Sequence, residues 1–151
     1  MILFKSLTYY VIGYFIVTSI ASLHFLFNWK IRGQEAFDTK LGIKALKVNA
    51  TQFEAFKSTK PFHPIYNIVI FPIVATWMIN NISSGVSIYE AIGIGALWLI
   101  YCFLSDILFW IIIPHPWRLT LKELFITYQP WITFAYLAIF ISPIIAKIYL
   151  M

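Results

Sequence analysis

Four stretches of this chain, residues 7–29, 62–82, 88–113 and 131–150, run for about twenty residues or more with almost no charge, the length a helix rising about 1.5 Å per residue needs to cross roughly 30 Å of hydrocarbon. A water-soluble fold could not hide so much apolar surface, because a domain of this size buries only about 70% of what its unfolded chain exposes. A bilayer removes that limit by solvating the outer faces of the helices, provided every backbone N–H and C=O is paired internally. Composition agrees: 61% of the 151 residues are apolar and 11% are charged, against about 25% charged in soluble domains. The sequence therefore predicts an all-α fold, a polytopic transmembrane bundle of four helices forming a single domain over residues 1–151.

The charges that remain are topological. Seven of the eleven Lys and Arg residues (Lys30, Arg32, Lys40, Lys44, Lys47, Lys57 and Lys60) fall in the loop over residues 30–61. Arg118 and Lys122 follow the third span, while the turn between the second and third spans, Asn80 to Gly85, has no charge. The positive-inside rule places both basic loops in the cytoplasm and both chain ends outside, in an integral protein of the cytoplasmic membrane. Trp29, Trp117, Tyr128 and Trp131 fit an aromatic belt on the inner side. The short turn predicts that the second and third helices are antiparallel neighbours. The net charge of +5 comes from these loops, without a nucleic-acid motif around them, so no nucleic-acid partner is expected. Cys102 is the lone cysteine, so no intrachain disulfide can form.

Within the long loop, Phe37, Leu41, Ala45, Val48 and Phe56 share one side of a helical wheel, and Lys40, Lys44, Lys47 and Thr51 form a stripe on another. The expectation is a cytoplasmic amphipathic helix lying in the interface. Its lysines would bind anionic lipid headgroups at about 1 kcal/mol each.

Asp106 is the residue whose position most demands an explanation. A carboxylate inside a spanning helix costs about 2.5 to 3.5 kcal/mol on insertion scales and is turned inward towards a partner. Counting from Lys30 and Pro114 as equal levels, His24 reaches a similar depth, which predicts an Asp106–His24 hydrogen bond; the alternatives are that this pair is purely structural, or that Asp106 is held neutral and bonded to Ser105 or Tyr101. His63 and His115 are assigned to the same membrane face. Around His115, two prolines stop the third helix and Thr120-x-x-Glu123 forms a capping box, presenting His115, Trp117 and Arg118 at headgroup level. Asp106, His24 and His115 are thus the candidate acid–base groups, and Arg118, Trp117, His63, Lys40, Lys44 and Lys47 the candidate lipid- or anion-binding groups. The histidines lack an i, i+3 or i, i+4 pairing, so neither a metal nor another cofactor is predicted. Ala91-x-x-x-Gly95 is a small-residue face on which a neighbouring helix can lie close.

Three functions are compatible with these residues. The first is an accessory, regulatory or partner-binding component of a larger membrane complex or homo-oligomer. The second is a membrane-embedded enzyme acting on a lipid or isoprenoid-like substrate through a cytoplasmic-side His/Asp/Arg site. The third is an oligomeric channel or carrier.

Overall fold

The computed structural model describes residues 2–34, 53–82, 85–115 and 118–151. They form α1 (Ile2–Lys30), a short α2 (Glu54–Lys57), a 3₁₀ turn (Lys60–Phe62), α3 (His63–Asn80), α4 (Ile88–Asp106), two π-helical segments (Ile107–Ile112 and Glu123–Thr127) and α5 (Trp131–Tyr149). Among these residues there is no strand. Four helices, Leu3–Lys30, Glu54–Asn80, Ile88–Ile112 and Trp131–Tyr149, are long and apolar enough to cross a membrane. Large apolar side chains such as Phe4, Phe15 and Ile73 point away from the bundle, as hydrocarbon rather than water would favour. Most of the amphipathic helix expected in the long loop, with Lys40, Lys44 and Lys47, lies outside the described residues, as does Trp117; Phe56, expected on its apolar side, lies in α2 against Tyr128.

Local chemistry accounts for the helix ends. Gly85 turns the chain at φ +72°, a left-handed conformation that glycine adopts without strain. Ser87 then opens α4 with a reciprocal capping box, its hydroxyl accepting from the Glu90 N–H and the Glu90 carboxylate accepting from the Ser87 N–H (3.2 and 2.8 Å). The predicted box at Thr120 and Glu123 is also present. It opens onto a π-helical turn rather than a regular α-helix. The third span likewise widens into a π-helical segment after Asp106, before Pro114 ends it.

The expected neighbours α3 and α4 do touch, but α5 has the larger interface with each. The helices α3 and α4, though joined by a short turn, lie closest not to each other but each to α5. They meet through large side chains, Phe71 against Trp98 with ring centroids 5.5 Å apart. Gly95 is the reason α5 comes so near α4: a β-carbon there would stand 2.2 Å from the Phe140 carbonyl oxygen. The small-residue face is therefore occupied within the chain, by α5. On the other side α1 rests on α3 and α4, and Gly13 gives room to the Phe71 ring.

The helices α1 and α4 run parallel in a fixed register. The Trp98 indole donates to the Ser6 carbonyl and hydroxyl (3.1 and 3.0 Å), and Tyr14 donates to Asp106; both pairs are 92 residues apart. At the opposite end of the bundle Asn28 donates to Ser58 (2.9 Å), and the Lys60 ammonium lies 5.3 Å from the Tyr128 ring centroid. The described parts of the two basic loops thus share one end of the bundle, its basic end.

Candidate functional site

Asp106 is the last residue of α4 and is buried, 7% exposed. Its two oxygens accept from different helices: Tyr14 Oη of α1 to Oδ1 at 2.8 Å, and Tyr136 Oη of α5 to Oδ2 at 2.9 Å. Cys102, one turn earlier on the same face of α4, brings its thiol within 3.9 Å of Oδ2. Tyr14 in turn accepts from the Trp110 indole N–H at 3.1 Å. Trp110 belongs to the π-helical segment, and a wide turn of this kind is a common way of re-aiming side chains beside a functional group. The partners of the carboxyl group are all neutral, so none of them supplies a counter-charge.

This cluster forms one end of a cavity of about 130 Å³. Its walls come from α1 (Val17, Ala21, Phe25) and α5 (Ile132, Ala135, Ile139), with Leu119 and Leu124 from the segment between α4 and α5. The cavity exists because α1 and α5 each pack on α3 and α4, leaving space between themselves. Towards the basic end it is lined by Thr59, His63, Asn67 and Tyr128. Tyr128 and His63 Nδ1 are hydrogen-bonded. Burial raises the Tyr128 phenol well above its ordinary pKa, so it stays protonated beside the imidazole. Asn67 is turned back to the His63 carbonyl (2.9 Å), and Thr59 to that of Phe56 (2.7 Å). Polar groups are therefore confined to the two ends, except for Thr18 and Ser22 on α1.

The predicted Asp106–His24 pair does not form, and neither do the alternatives at Ser105 and Tyr101. His24 is hydrogen-bonded to Tyr66 and sits edge-on to Phe62, outside the cavity. The register explains it: an offset of 92 puts Tyr14 opposite Asp106 and leaves His24 opposite position 116, past the end of the helix. Levelling Lys30 with Pro114 assumes an offset of 84, and the difference of eight residues is about 12 Å along the axis. His115 is likewise elsewhere, a ring nitrogen on the Phe109 carbonyl at 2.7 Å. Arg118 Nε donates to the Ile111 carbonyl at 2.6 Å. These two side chains cap carbonyls of the π-helical segment, which the widened turn and Pro114 leave without ordinary helical donors. Of the predicted site residues, Asp106 and His63 line the cavity.

Sequence reasoning does not single out Tyr14, Trp110, Tyr128 and Tyr136 as site residues. The available signal is the isolated acid itself, since a carboxylate among apolar spans needs donors and tyrosines are among those these spans carry. Tyr128, expected in an aromatic belt, is instead buried beneath Lys60. Among the described residues, no three His, Cys, Asp or Glu side chains are grouped as a metal would require. No family model matches the chain, and no match emerges among the curated proteins or the solved structures.

Proposed function

We propose that this is a small membrane protein that binds a lipid-like or isoprenoid-like molecule among its own helices. The observation that carries the reading is the cavity between α1 and α5, apolar along most of its length and polar at its ends, the usual character of a site for a small apolar ligand with an oriented head. The lipid-directed enzyme is thereby recast as a binding site built from Asp106, Tyr14, Tyr136 and His63. His24, His115 and Arg118 lie outside it and are not assigned a catalytic or head-binding role. The accessory-component reading draws on the small-residue face, which α5 already occupies, and on a basic helix outside the described residues, so it has less to support it. The basic end is assigned to the cytoplasm by the positive-inside rule, with both termini outside.

The test is native mass spectrometry of the protein released from nanodiscs made with a whole-membrane lipid extract. A retained apolar molecule is expected on the wild type. It should be lost from Ala135→Trp, which fills the cavity from its buried α5 wall. A wild-type protein that emerges free of ligand, or a folded Ala135→Trp that keeps the molecule, would overturn the reading.

A further inference from the structure

We propose that the ligand carries a cationic ammonium head, seated at the Asp106 end of the cavity against Tyr14, Trp110 and Tyr136. This rests on the cavity being a ligand site and goes on to assign its chemical class.

The first argument is charge. Asp106 lines the cavity and is buried, and its partners are two phenols and a thiol. A buried carboxylate is costly to leave without a counter-charge, and intramembrane acids commonly serve as counter-ions to a ligand. An ammonium group brings that charge with it. The second is hydrogen-bonding capacity: a carboxylate offers about four acceptor positions, and the two phenols and the thiol leave about one for an N–H donor. The third is the surrounding aromatic set. Two phenol rings and an indole line the cavity beside the acid, and cations are attracted to such ring faces within about 6 Å, more strongly where water is excluded.

An acidic head is disfavoured on the same grounds. It would meet Asp106 as a like charge, and the basic groups that could receive it point elsewhere. Arg118 is exposed and bonded to the Ile111 carbonyl, and the Lys60 ammonium lies over the Phe56 and Tyr128 rings at 5.5 and 5.3 Å. Size narrows the class further. A cavity of about 130 Å³ is of the order of the roughly 150 Å³ that accepts a benzene-sized guest, enough for a head and the adjoining carbons of a single chain.

The test compares three photoreactive diazirine probes of equal chain length, dodecylamine, dodecanol and dodecanoate, on the whole protein in nanodiscs, with labelled peptides mapped. The amine is expected to label cavity-lining peptides about tenfold more than either other probe, a difference of about 1.4 kcal/mol, and unlabelled dodecylamine should compete it away. Asp106→Asn should bring amine labelling down to the dodecanol level. Gly93→Ala, on the exposed side of α4 with nothing within 4 Å of the added carbon, should leave the ranking unchanged. Equal labelling of the cavity by all three probes, or an amine preference that survives in Asp106→Asn, would overturn the ammonium assignment while leaving the cavity as a ligand site. Absence of cavity labelling by every probe would remove both. If Asp106→Asn does not fold, the ranking on the wild type decides alone.

Discussion

Tyr14 and Trp110, 96 residues apart, are joined at 3.1 Å through the phenol oxygen and the indole N–H. Through that bond the π-helical segment after α4 is held to α1, and the same phenol donates its own hydrogen to Asp106. One hydroxyl thus serves two partners. Tyr14→Phe removes an acceptor and a donor together and should cost about 1–3 kcal/mol, the penalty for leaving buried polar groups unpaired. Tyr10 provides the contrast, since its buried hydroxyl makes no hydrogen bond among the described residues. Tyr10→Phe should be neutral or stabilising. Thermal unfolding of both variants in one detergent checks the pair.

Gly95 and Gly93 should respond oppositely to a methyl group. Gly95→Ala places a carbon 2.2 Å from the Phe140 carbonyl oxygen, contact that only a shift of α5 can relieve, and folded yield should fall severely. Gly93→Ala meets nothing within 4 Å, and alanine is favoured over glycine in a helix by up to about 1 kcal/mol, so that variant should be as stable as the parent or more so. Size-exclusion profiles of the two purified variants distinguish these outcomes.

The basic end of α1 is tied down by polar contacts. The buried Asn28 amide donates to Ser58 Oγ at 2.9 Å, and that hydroxyl donates to Gln34 Oε1 at 2.7 Å. Asn28→Ala should lower stability by about 1–3 kcal/mol. Hydrogen exchange should rise over residues 53–62 with little change in α4 and α5, a pattern that peptide-level mass spectrometry reads directly.

Energetic coupling should track the observed network rather than the predicted pair. A double-mutant cycle of Tyr14→Phe with Tyr136→Phe, which share Asp106, should show coupling of about 0.5–3 kcal/mol, while His24→Phe with Asp106→Asn should add to within about 0.5 kcal/mol. Strong coupling between His24 and Asp106 would contradict the register of α1 on α4.

Much of this architecture is legible in the sequence because runs of about twenty apolar residues leave a chain few choices. The spans expected at 62–82 and 131–150 appear as His63–Asn80 and Trp131–Tyr149, within two residues at each end. The isolated acid, too, stands out from sequence alone. Its partners do not, because helix boundaries say nothing about how far one helix slides past another, and the offset between α1 and α4 is set by Ser6, Tyr14, Trp98 and Asp106 together. The cavity is equally hidden. It depends on two non-neighbouring helices both lying on a shared pair, an arrangement that no local pattern encodes. The close approach of α5 to α4 is hidden for a similar reason, since Gly95 receives the Phe140 backbone from a helix distant in sequence.

The length of α1 has its own consequence. Its 29 residues measure about 43 Å at the usual rise, well beyond the acyl region of an ordinary bilayer, whereas the 19 residues of α5 nearly match it at about 28 Å. Thinning or thickening of the host bilayer therefore bears unequally on the two, changing the lean of the long helix more than that of the short one. Because the two phenols that hold Asp106 are carried one on each, a bilayer that changed the lean of one helix more than the other would move those phenols relative to the acid.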